Sequence, residues 1–180
     1  MQKEIIIAGF GGQGVLFGGQ VVAYAAMDAG KEVTWIPSYG PEMRGGTANC
    51  TVVIADEEIG SALVEHPPLA IALNLPSFDK YEAELQSGGT LIVNKSMVDR
   101  TARRSDINVV YVPCNEIAEE IGDKKLLNMV AVGALLTALT ELSMDDVRKA
   151  LEGHMPARHK ELLSKNLEAL KRGYEAARNN

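Results

Sequence analysis

The chain has 180 residues, 46% apolar and 23% charged, a balance that suits one globular domain with a sizeable core and excludes extended disorder. The net charge of −6 has the wrong sign for a protein that tracks a nucleic-acid backbone, so no nucleic-acid partner is expected. A basic excess in residues 158–180 reads as the solvated face of a terminal helix, with a docking surface as the alternative.

Residues 5–8 (Ile-Ile-Ile-Ala) form an unbroken apolar run with β-branched side chains, as in a strand buried on both faces. A glycine cluster over residues 9–14 interrupts it. Residues 15–29, rich in Ala, Val and Met, then predict a helix closed by Gly30. Residues 33–36 predict a second strand, completing a strand–helix–strand unit. A loop over residues 37–46, with two prolines and three glycines, leads to residues 47–54, where apolar and polar side chains alternate as in a half-buried strand. A turn at residues 56–58 suggests a hairpin and an antiparallel partner, hence a mixed sheet.

Residues 69–73, 90–93 and 109–112 predict three further strands. Ser77 is expected to open a helix that ends near Gly88 and Gly89. The rest is helical: residues 115–121, 126–142, 144–151 and 157 to the end. Ser143 serves as N-cap of the third, with Asp145 and Asp146 at the positive end of its dipole. In the last helix Leu163, Leu167, Leu170, Tyr174 and Ala177 make an apolar stripe. Strands alternating with helices predict a single domain over residues 1–180. Its fold class is α/β: a three-layer α/β/α, Rossmann-like arrangement with a mixed, mostly parallel sheet and a helical C-terminal third.

The two cysteines, Cys50 and Cys114, form no CxxC pair, so this chain alone is expected to hold neither zinc nor an iron–sulfur cluster. They read as buried, reduced thiols. His154 and His159 are separated by Pro156 and do not suggest a metal site, and no nucleophile elbow surrounds Ser61. Residues 1–4 run straight into a strand, so no signal peptide is expected, and a cytoplasmic location follows. The longest uncharged helical stretch, residues 126–140, is shorter than the roughly 20 residues that span a bilayer, so no membrane association is expected.

Two motifs carry chemistry. Gly9-Phe10-Gly11-Gly12-Gln13-Gly14 follows a strand and opens a helix, the setting in which glycines admit a phosphate to a helix N-terminus. A dinucleotide site would also need a carboxylate at the end of the second strand; that strand ends Ile36-Pro37-Ser38 without one. The second motif, Ser38-Tyr39-Gly40-Pro41-Glu42-Met43-Arg44-Gly45-Gly46, leaves the same sheet edge. Arg44 can fork onto a phosphate or carboxylate, and Tyr39 offers a flat face.

These motifs, the Thr47-Ala48-Asn49-Cys50 that follows them, and Lys125-Leu126-Leu127-Asn128-Met129-Val130-Ala131-Val132-Gly133-Ala134-Leu135 resemble the gamma subunit of 2-oxoacid:ferredoxin oxidoreductases over essentially the whole chain. The loop is most similar to the 2-oxoglutarate and branched-chain 2-oxoacid branch; indolepyruvate oxidoreductase has a related small subunit. The resemblance implies a complete enzyme that decarboxylates a 2-oxoacid on thiamine diphosphate, passes electrons through iron–sulfur clusters to ferredoxin, and transfers the acyl group to CoA. Thiamine diphosphate and the clusters would sit in partner subunits, alpha and beta, with delta as a further candidate. The gamma subunit would close over the site, contact CoA, and carry no catalytic residue of its own. The expected ligand contacts are Gly9, Gly11, Gly12, Gln13, Gly14, Ser38, Tyr39, Arg44, Gly45 and Gly46. The alternative is a purely structural subunit whose glycine loop only packs against its partners.

Overall fold

The computed structural model describes residues 1–40 and 46–179, apart from the side chain of Arg158. Its sheet has six strands in the order β2-β3-β1-β4-β5-β6. β1 (Gln2–Phe10) lies inside the sheet, between β3 (Thr47–Ala55), to which it is antiparallel, and β4 (Leu69–Ala72), to which it is parallel. β5 (Thr90–Asn94) and β6 (Asn108–Val112) continue the parallel half, and β2 (Glu32–Tyr39) forms the other edge, antiparallel to β3.

Alternate side chains of β1 enter two separate cores, as the period of two demands. Ile5 and Ile7 pack under α1 (Val15–Asp28), α3 (Cys114–Ile121), α4 (Leu127–Leu135), α5 (Met144–His154) and α6 (Leu163–Arg178). Ile6 and Ala8 pack with Phe78 and Tyr81 of α2 (Leu75–Glu84) on the opposite face. The three layers are therefore unequal, and the helical C-terminal third thickens one side only. Fully burying a side chain such as Ile5 or Ile7 contributes about 1.5–3 kcal/mol.

α4 and α6 cross with almost no side chain between them. A Cβ at Gly133 would collide with the backbone of Leu170, and one at Gly173 with that of Val130. This contact draws the buried line of α6 through Asn166, Ala169, Leu170, Gly173 and Ala177. Of the apolar stripe expected there, Leu163, Leu167 and Tyr174 are only half-buried, because the close approach rotates the small residues into the seam.

Several expectations need correction. β1 and β2 are not neighbours, because β3 inserts between them. β2 continues to Tyr39 instead of ending at Ile36; Pro37 is tolerated because β2 is an edge strand. β3 has antiparallel partners on both sides, and it joins β2 through residues 40–46 rather than through a turn at 56–58. The cap of α2 is Asn74, whose side chain accepts from the N–H of Ser77 at 2.9 Å, so the helix begins before Ser77. The helix expected over residues 126–142 stops at Leu135: Thr137 and Ala138 close tighter turns onto Ala134 and Leu135, and the Thr137 hydroxyl donates to the Ala134 carbonyl at 2.7 Å. The last helix begins at Leu163, after a 3₁₀ segment (Ala157–Leu162). Ser143 does cap α5, in a full capping box with Asp146.

Candidate functional site

The chain leaves β1 at Phe10 and must reverse within four residues to enter α1. Gly12 and Gly14 do this with left-handed φ angles of 95° and 73°, conformations that cost other residues about 1–2 kcal/mol. Gln13 locks the turn from inside. Its amide oxygen accepts from the N–H of Phe10 at 2.7 Å, and its amide nitrogen donates to the carbonyl of Leu73 at 3.2 Å. It thus bridges the carboxyl ends of β1 and β4, where the following helices α1 and α2 depart to opposite faces. Such a switch point is where ligands bind in open α/β sheets.

Only part of the glycine motif faces outward. A Cβ on Gly9 would lie 2.6 Å from the Gln13 oxygen, so Gly9 and Gln13 serve the turn's interior. Gly14 packs against Asn128 of α4, whose amide nitrogen donates to the Gly14 carbonyl at 3.0 Å. Among the described residues nothing stands where a Gly12 side chain would project. No side chain among the described residues caps α1, whose first turn carries the positive end of the helix dipole.

The hairpin meets the turn directly: the N–H of Gly11 donates to the carbonyl of Gly46 at 3.0 Å. Arg44 and Gly45 lie outside the described residues. Ser38 and Tyr39 end β2 opposite Asn49 and Ala48, two strands from β1 and so roughly 10 Å from it. Tyr39 is 69% exposed. The structure therefore gathers Gly11, Gly12, Gly14 and Gly46 at one spot and leaves Ser38 and Tyr39 to one side.

Against that spot opens a cavity of about 310 Å³ running from Gly12 and Gly14 past Phe17 to the loop before α4 and the 3₁₀ segment. Its walls include Lys125, Asn128, His159 and Asn166. None of these is a ligand contact expected from the sequence; Lys125 and Asn128 lie in the segment that carries the family resemblance. The clue available was their spacing around the buried start of α4. A second group also went unmarked: Asn94, fully buried, donates to the Leu73 carbonyl at 3.2 Å and to Asn115 at 2.9 Å, tying β4, β5 and α3 together behind the site.

The titratable groups are structural. Burial pushes the Cys50 thiol up to about 12 and raises that of Cys114 as well, so neither is an activated nucleophile. Glu82, 5% exposed, would be driven up by burial, but the N–H of Arg103, the guanidinium of Arg100 and the N–H of Arg104 outweigh that and keep its carboxylate below its ordinary range. It pins the segment after β5 to α2. Among the described residues no group of three or more His, Cys, Asp or Glu side chains could hold a metal ion, and no helix is long and apolar enough to cross a membrane.

Residues 4–176 match the family model described as pyruvate ferredoxin/flavodoxin oxidoreductase. The chain is 36% identical to the ketoisovalerate oxidoreductase subunit VorA of Methanothermobacter marburgensis, over 99% of this chain but only 37% of that protein, so it spans little more than a third of that relative. It is 35% identical to the 2-oxoglutarate synthase subunit KorC of Methanocaldococcus jannaschii, over 99% of this chain and 95% of the relative. Among solved structures, the gamma subunit of a keto/oxoacid ferredoxin oxidoreductase from Geobacter sulfurreducens superposes with a TM-score of 0.84 at 29% identity, each chain covered to 99%. With nearly its whole length matched in sequence and in fold, the chain belongs to the pyruvate ferredoxin/flavodoxin oxidoreductase family.

Proposed function

We propose that the chain is the gamma-type subunit of a CoA-dependent 2-oxoacid:ferredoxin oxidoreductase. It works in a cytoplasmic complex with alpha and beta subunits, and with delta where one is present, contributing phosphate contacts to CoA while closing a site whose thiamine diphosphate and iron–sulfur clusters its partners hold. The observation that carries this reading is the opening at Gly12. A left-handed glycine stands with no described residue beside it, at the start of a long helix that no described side chain caps, and its neighbour Gly11 is bonded to Gly46 at the start of β3. That arrangement suits a pyrophosphate. The missing carboxylate at the end of β2 disfavours a free dinucleotide-binding protein. Two buried, unpaired thiols fit a reducing compartment. The 2-oxoacid is a branched-chain acid or 2-oxoglutarate, the substrates in the names of the relatives.

Steady-state kinetics of the reconstituted complex test this. The isolated chain should show no oxidation of a 2-oxoacid with ferredoxin or a viologen dye. Arg44→Ala should raise the KM for CoA about ten- to hundredfold, the cost of one charge-assisted hydrogen bond, with assembly intact. Gly12→Val should act in the same direction. If Arg44→Ala assembles and its CoA dependence is unchanged, Arg44 is not a CoA ligand; if it fails to assemble, the hairpin is an interface element and the structural alternative stands.

A further inference from the structure

The opposite face of the sheet carries a smaller cavity, on the side of α2 rather than α1. Ile6 and Ala8 of β1 pack on that side with Phe78 and Tyr81. The pairing of Ala8 with Asn49 puts Asn49 there too, and Thr47 follows by the period of two. Between the start of β3 and the first turns of α2 a space of about 100 Å³ is left. Its polar walls are Thr47, Asn49, Ser77, Lys80 and Tyr81, and alanines and Pro76 make up the rest. The volume is about a third of the roughly 300 Å³ at which small-molecule sites begin, so it excludes a nucleotide and admits a group of a few heavy atoms.

The charge of this lining has one sign. In a chain with a net charge of −6, the described residues around the space include one cation, Lys80, and no carboxylate. The Lys80 ammonium lies 5.1 Å from the centre of the Tyr81 ring, a cation–π contact that holds it at the wall. It forms no salt bridge with any described carboxylate. Ser77 and Tyr81 are 7% and 3% exposed, so a charge held beside them is shielded from water, where hydrogen bonds strengthen. Burial raises the Tyr81 phenol above its ordinary value, which keeps it protonated and able to donate. One ammonium, three hydroxyls and an amide complement a single negative charge shared by two or three oxygens.

We propose that this corner is a binding site for a small, planar, singly charged oxyanion, the carboxylate of a short acid or bicarbonate, with Lys80 as counter-charge and Ser77, Tyr81 and Asn49 as hydrogen-bond donors. The two sources present the same group and differ only in what is attached to it. A phosphate dianion brings a second charge that no second cation meets. The site shares no residue with the cavity at Gly12, so the inference goes beyond the CoA reading and does not depend on it.

Calorimetric titration of the assembled enzyme with acetate, bicarbonate and inorganic phosphate, at constant ionic strength, tests it. Acetate, bicarbonate or both should bind, and Lys80→Met should weaken that binding about tenfold or more, the loss of a charge-assisted hydrogen bond. Lys80→Arg should restore most of it, and Ser77→Ala should weaken it about fivefold. Lys80 is exposed, so its variants keep the test valid should Ser77→Ala destabilise the subunit. Binding of bicarbonate but not acetate through Lys80 supports the site and names hydrated carbon dioxide as its source; the reverse supports it and names a short acid. The site is overturned if neither anion binds, if their binding is unmoved by Lys80→Met, or if phosphate binds through Lys80 as tightly as they do, since charge alone would then explain it. Failure of the CoA test at Gly12 leaves this outcome untouched, because the two sites have no residue in common.

Discussion

Gly133 and Gly173 lie where α4 and α6 touch backbone to backbone, whereas Gly12 faces open space at the end of β1. The same residue type is present for opposite reasons. At the helix crossing the missing side chain is occupied by another part of the protein, and helical backbone would accept any small residue. In the turn the space is left empty, and it is the left-handed backbone that demands glycine. Gly14 stands between these cases: its φ is left-handed, and Asn128 of α4 fills the place of its side chain. Asn128 thus connects the densely packed helical layer to the glycine turn of the candidate site. Glycine marks close packing in one region and access in the other, and the two should respond differently to the smallest possible insertion, a methyl group.

The largest effect is expected at the crossing. Gly173→Ala and Gly133→Ala each add helix propensity worth about 1 kcal/mol, but force two backbones apart at a cost of about 3 kcal/mol or more. Urea denaturation should show net losses on the order of 2 kcal/mol, and a neutral or stabilising result would break the distinction. Asn128→Ala should come next, losing about 1–3 kcal/mol because the bond to the Gly14 carbonyl disappears along with the amide that also accepts from the N–H of Met129 at 2.8 Å.

A third test reads α1 through pH. The Sγ of Cys50 sits where a side chain on Gly19 would need to be, and burial holds its pKa near 12 against an ordinary 9. Since the folded-state value is raised, the thiol contributes its full stability below pH 9 and loses it as pH climbs toward 12. The slope should reach about 1.4 kcal/mol per pH unit. Melting curves across that window should show a shallower decline for Cys50→Ala than for the unaltered chain; an equal slope would mean the thiol is not held neutral by packing. The smallest stability effect belongs to Gly12→Ala, about 1 kcal/mol from backbone strain alone. Its consequence should fall on ligand affinity instead, which sharpens the contrast with Gly173.

Much of the fold was legible in the order of residues. The all-apolar run over residues 5–8 marked an interior strand, because a strand with helices on both faces has no polar side to show. The capping of α5 by Ser143 was legible because a cap is a contact between residues three apart. Gly30 at the end of α1 was legible for the same local reason. The glycine turn of the candidate site was legible as a turn, but that Gly9 and Gln13 form its inner support depends on where Leu73 lies.

Local chemistry by itself determined the elements, their approximate limits, the glycine turn and the family to which those motifs point, since each depends on neighbours within a few residues. Tertiary structure decided the rest. It placed β3 between β1 and β2, ended α4 at Leu135, rotated α6 onto its small residues, and brought Lys125, His159 and Asn166 to the mouth of a turn more than a hundred positions earlier in the chain. These outcomes follow from which surfaces are left to bury once the sheet is assembled. Packing of that kind is settled between residues far apart in sequence, where no period or motif records it.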